Sequence, residues 1–175
     1  MSTASHTAPF VRTALEIYAC VVRLLVFALA AVAGCGVLTM MTVTCVDIIL
    51  RWSNRTLTGA YDIVCVAGAL TIACALPYTT AVKGHVAIEY FFLKLSRTGR
   101  VVVDTVARLL AIALFACLAW QCVRYGTSLW RSGQVTPTLQ VPVFWVPYVI
   151  AFSCVVVALV ILHNLLHPGR EMIKP

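Results

Sequence analysis

Four long apolar runs, at residues 24–50, 60–82, 101–123 and 143–163, alternate along the chain with short polar segments. A helix needs about 20 mostly apolar residues to cross roughly 30 Å of hydrocarbon, and each run reaches that length. Inside lipid, every backbone N–H and C=O must bond within its own segment or closed structure, so runs of this length predict helices. The first run is long enough to tilt or to project beyond the bilayer. The pattern predicts an all-α integral membrane protein with four transmembrane helices.

Between the second and third runs the period changes. Over residues 86–97, Ile88, Phe91, Phe92 and Leu95 fall at i, i+3, i+4 and i+7, while Glu89, Lys94, Ser96 and Arg97 avoid that stripe. This predicts an amphipathic helix lying in the membrane interface; an apolar soluble loop is the alternative. Lys94, Arg97 and Arg100 would add attraction to anionic lipid. The preceding Lys83-Gly84-His85 gathers a cation, a flexible residue and an imidazole where the second run ends, and predicts a corner with Gly84 at the turn and His85 as its hydrogen-bonded tie.

Composition agrees with the pattern. The 175 residues are 62% hydrophobic and 11% charged, against roughly half and a quarter in soluble domains. The polar segments are too short to fold cores of their own, so residues 1–175 are expected to form a single membrane domain. Thirteen basic side chains face six acidic ones, but they are dispersed and form no aromatic-interleaved stripe, which excludes a nucleic-acid partner.

The placement of the cations predicts orientation. Arg12, Arg23, Lys83, Lys94, Arg97, Arg100, Arg170 and Lys174 flank one side of the predicted bundle, and Arg51, Arg55, Arg124 and Arg131 fall in the two opposite loops. Both termini are therefore expected in the cytoplasm.

Several smaller features have structural explanations beside functional ones. The eight cysteines lie in or beside apolar runs without a Cys-x-x-Cys pair, which suits small apolar filler. Ala31-Val32-Ala33 and the following Cys35 resemble processing signals, but the apolar run continues well past them, so an uncleaved first span is expected. Asp47 and Arg51, like Asp104 and Arg108, are four apart and can pair on one helix face. Trp52 beside Arg51 suits an interfacial anchor, and Asp62 in a first turn complements the helix dipole. Pro77 should kink the second span near Ala73. His85 and His163 end two spans on the same side, so a haem held by both is conceivable. No catalytic set, metal-spaced cluster or phosphate-binding glycine loop is present in the sequence, so no enzyme activity and no cofactor are expected.

In order and spacing, these pieces resemble the small membrane subunit (DctQ type) of tripartite ATP-independent periplasmic (TRAP) transporters. The likeness rests on the Arg51-Trp52 element closing on Asn54, Asp62 opening the second span, Gly84-His85-Val86 followed by Glu89, and a Pro142-to-Trp145 start of the fourth. Where the family often has paired glutamates preceded by Trp, this chain has Tyr61-Asp62, with one carboxylate.

The resemblance implies a bacterial inner-membrane scaffold subunit for a large permease, which works with a periplasmic solute-binding protein in sodium-driven uptake of an organic anion such as a carboxylate or sulfonate. Sodium coupling is then expected in the large subunit. Small residues such as Ala30, Gly34, Ala69 and Ala73 would pack on that subunit, and Arg51, Arg55, Arg124 and Arg131 would serve as a docking surface for the binding protein. The rival reading is a haem- or quinone-binding anchor of a respiratory complex.

Overall fold

The computed structural model describes residues 9–82 and 97–166. They form four helices: α1 (Pro9–Trp52), α2 (Ala60–Ala81), α3 (Arg97–Ser132) and α4 (Trp145–Leu166). Each contains a stretch long and apolar enough to cross a membrane. At about 1.5 Å per residue, the 22 residues of α2 and of α4 span about 33 Å, whereas the 44 of α1 and the 36 of α3 span about 66 and 54 Å. The short pair matches the hydrocarbon, and the long pair exceeds it.

The observed ends correct the sequence boundaries in one important place. Helix α3 continues from 123 through Arg-Tyr-Gly-Thr-Ser-Leu-Trp-Arg-Ser to Ser132, so Arg124 and Arg131 stand on a helix and not in a loop. Hydropathy falls over these residues, but nothing in them stops the backbone. The stop is Gly133, left-handed at φ 62°. Its N–H donates to the Trp130 carbonyl, and the next N–H reaches Leu129, a Schellman closure. Helix α1 closes the same way with Asn54 at φ 55°: Asn54 N–H bonds Arg51, and Arg55 N–H bonds Leu50. Asn is among the few side chains that tolerate this conformation, which gives the Asn54 of the family-like element a backbone role.

Spatial order differs from chain order. Helix α1 lies along α2, α2 along α4, and α4 along α3, with a smaller contact between α1 and α4. The core fills the junction of α1, α2 and α4: Val22, Val26, Leu29 and Ala33 meet Cys74 and Ala81, with Val156 and Val160 opposite. Tyr18 donates a 2.8 Å hydrogen bond to the Leu159 carbonyl and stacks on His163 at 5.9 Å. Pro77 is buried within α2, which stays helical through Ala81.

Close approach of α1 to α2 depends on Gly36. A Cβ there would run into Thr71 Oγ1 and sit 3.5 Å from the Ala67 carbonyl oxygen. Gly34, two residues earlier and about 200° around the helix, faces open space. Of the small residues expected to form one outward face, Gly34 is exposed, Ala30 and Ala69 are half-buried, and Ala73 is buried inside the chain's own bundle. The four do not make a continuous free surface.

All eight cysteines are free thiols. Only Cys74 and Cys154 are buried as internal filler; Cys20, Cys35, Cys45, Cys65 and Cys117 look outward. The helix expected over 86–97 lies outside the described residues except for Arg97, which opens α3. Gly84, His85, Ile88, Glu89, Phe91, Phe92 and Leu95 are outside them as well, as is the side chain of Asp104.

Candidate functional site

The connections 53–59 and 133–144 meet at one end of the bundle, and a carboxylate from a span end holds each of them. Asp47 receives the Arg51 Nε–H at 2.8 Å on one oxygen, as its i, i+4 spacing predicts, and the Leu57 backbone N–H at 3.1 Å on the other. The first bond ties a helix turn, and the second fastens the loop that follows it.

Asp62 does the corresponding work for the second connection. Its Oδ2 accepts the backbone N–H groups of Thr138 and Leu139 at 2.9 and 3.0 Å. The segment it holds is a small hairpin: Val135 and Pro142 form an antiparallel bridge, and Thr136 N–H donates to the Val141 carbonyl at 2.9 Å. The Val141 N–H returns to the Thr136 hydroxyl at 3.1 Å. At the tip, Gln140 is left-handed at φ 55°. Asp62 is only 5% exposed, so the carboxylate satisfies two amide donors in a place that water scarcely reaches.

Gly59 completes the junction. It precedes α2 at φ 87°, and a Cβ on it would collide with the Leu139 side chain. Leu139 thus lies on bare backbone while its own N–H reaches Asp62. Beneath the hairpin is an apolar cavity of about 420 Å³, bounded by α1, α2 and the start of α4.

Around this end stand exposed aromatics, Trp52, Tyr61, Tyr125 and Trp130, with Trp145 more than one-third exposed. Such residues anchor at membrane–water boundaries. Arg51, Arg55, Arg124 and Arg131 are all exposed here. Arg124 and Arg131 are seven apart and share one side of α3. At the opposite end, Arg23 lies over the Phe27 ring at 5.7 Å, a cation–π contact on the outer surface of α1.

Among the described residues, no group of three His, Cys, Asp or Glu side chains could hold a metal ion. His163 is buried against Tyr18, and His85 is outside the described residues. What this end can do is hold a fixed shape and present cations and aromatic rings at a boundary.

The profile of the family described as tripartite ATP-independent periplasmic transporters, DctQ component, matches residues 40–170. The chain belongs to this DctQ family. No curated protein and no solved structure matches it. Membership makes the chain the small component of a TRAP transporter and a multi-pass protein of the inner membrane. This is a family of transport components and not of enzymes. The matched segment takes in the Arg51-to-Asn54 element, Asp62, the Gly84-His85 pair and Pro142. In this DctQ chain, three of those elements converge on the two-loop end: Asn54 closes α1, Asp62 holds the hairpin, and Pro142 forms its bridge. From the sequence, Asp62 complements the dipole of its own helix and is the family-like acidic opening of the second span. Its partners, 76 and 77 residues away, are backbone amides and leave no trace in residue type.

Proposed function

We propose that this DctQ chain is the stationary scaffold for a large permease subunit in sodium-driven, binding-protein-dependent uptake of an organic anion, a carboxylate or sulfonate. The observation that carries this reading is the distribution of charge and apolar surface. Among the described residues, no charged side chain occupies the middle turns of any span. An ion or anion pathway through the chain would require such groups. Meanwhile only 6% of the most apolar stretch of α3 is buried, and Leu109, Leu110, Leu114 and Leu118 are exposed along it. Surface of that kind is suited to lipid and to another membrane subunit.

In this arrangement the two-loop end faces the periplasm and both termini face the cytoplasm. The exposed arginines 51, 55, 124 and 131 attract an acidic face of the solute-binding protein. Residues 86–97 lie in the cytoplasmic leaflet and brace the scaffold, while sodium and solute are handled by the large subunit.

Co-expression with the adjacent large subunit tests the proposal. The two should co-purify, and reconstituted uptake should require both. A chain that purifies alone, with uptake indifferent to its deletion, would overturn the scaffold role. A strong haem absorption band in the purified chain would replace it with the respiratory-anchor reading.

A further inference from the structure

The apolar cavity opens where α1 and α4 part. Near the other end these helices are tied by Tyr18 and Leu159; at the level of the cavity, α1 forms one wall, α2 the floor and Trp145 the far side. The α1 rim, Val32, Cys35 and Thr39, is exposed, and so is Val141 across from it. The opening therefore faces sideways. Its α1 rim lies midway along the apolar stretch Ile17–Trp52 and its lining is mostly apolar, so its occupant must be hydrocarbon-like.

Two features favour a phospholipid. The rim residues continue at helical spacing through Val43 and Val46 to Leu50, an apolar track about 16 Å long beyond Thr39 at 1.5 Å per residue. A straight, narrow track suits an unbranched chain. At about 30 Å³ for a water-sized group, the cavity holds about fourteen methylenes.

The track then ends at a cation. Arg55 N–H bonds the Leu50 carbonyl at 3.0 Å, which sets the exposed Arg55 at the head of the track. The two nearby acids are engaged by partners in the chain: Asp47 by Arg51 and Leu57, Asp62 by Thr138 and Leu139. A phosphate arriving there meets positive charge at a membrane boundary already marked by Trp52 and Trp145.

We infer that the cleft between α1 and α4 is a binding site for an anionic phospholipid, with one acyl chain in the cavity and the phosphate at Arg55. Lipid bound there would fill the gap left by the diverging helices and support the hairpin above it.

The test is native mass spectrometry of the full chain released from nanodiscs of mixed phosphatidylglycerol and phosphatidylcholine. The wild type should retain one phosphatidylglycerol. Ala67→Phe, which fills the floor, and Thr39→Trp, which fills from the exposed rim without repacking the interior, should each weaken retention about tenfold, the equivalent of roughly two buried methylenes. Arg55→Gln should remove the preference for the anionic headgroup and leave chain binding in place. Loss of the wild-type adduct, or retention unchanged in the Thr39→Trp chain, would overturn the assignment. So would a photocrosslinker on Cys35, with the other cysteines replaced, that captured a permease helix in place of lipid.

Discussion

Asp62 and Leu139 are joined across 77 residues by a 3.0 Å hydrogen bond, while the Leu139 side chain covers the backbone of Gly59. One residue of the hairpin thus meets α2 through both its amide and its side chain. The hairpin's position depends on that double contact, and each half can be removed separately.

Replacing Asp62 removes the polar half. Asp62→Asn keeps a carbonyl acceptor for the Thr138 and Leu139 amides, whereas Asp62→Ala leaves both donors unpaired. Thermal unfolding in detergent should show the larger loss for Ala. Limited proteolysis should show earlier cleavage within 133–144 in Ala than in Asn. Equal behaviour of the two variants would mean that the carboxylate does not hold the hairpin.

The apolar half is tested at Gly59. Ala there meets both a left-handed backbone, at a cost of about 1–2 kcal/mol, and the Leu139 side chain. Gly59→Ala should be destabilising, and adding Leu139→Ala should recover the steric part only. A double-mutant cycle by chemical unfolding should give a coupling of about 0.5–3 kcal/mol, as for residues in contact.

Gly34 and Gly36 form a matched pair of controls within one helix. Gly34→Ala faces open space and should be neutral or stabilising by up to about 1 kcal/mol through helix propensity. Gly36→Ala must displace Thr71 and should lower stability, with Thr71→Ala restoring part of the loss. The same order in both single variants would mean that α1 and α2 are not in close contact there.

How much of this was legible in the sequence follows from the range of the forces involved. The four spans could be read because the transfer of apolar side chains into lipid is a local property of each segment. Asp47 and Arg51 could be paired because helix geometry fixes their separation. The tail of α3 was misplaced because hydropathy reports the solvent a residue prefers and says nothing about where a backbone turns; Gly133 carried that signal. The hold of Asp62 on the hairpin could not be read at all, since its partners are main-chain amides available at almost any residue. Choosing Gly36 over Gly34 as the packing glycine likewise required knowing which way α1 faces.

Tyr18 provides a smaller, separable contribution at the opposite end. Tyr18→Phe deletes the bond to Leu159 and retains the ring against His163. The loss should be about 0.6 kcal/mol, the usual size for a hydrogen bond between helices in a membrane. Thermal unfolding of the single variant measures it.

The exposed arginines should contribute to association and little to folding. Arg124→Glu combined with Arg131→Glu should leave the melting temperature nearly unchanged, as expected for solvated surface charge. Binding of the solute-binding protein should slow, with the deficit shrinking as salt is raised. A salt-independent deficit would mean that these side chains do not steer docking.

The packing order α1, α2, α4, α3 has a consequence for biogenesis. Helices α1 and α2 are neighbours in sequence and in space, so they can associate as soon as both have left the ribosome and entered the bilayer. Helix α3 has its extended packing only with α4 among the described residues, so it must wait in lipid for the last span to be made. That last span joins two otherwise separate parts, and a chain interrupted before Trp145 would leave a paired hairpin beside a lone helix, a recognisable substrate for membrane quality control.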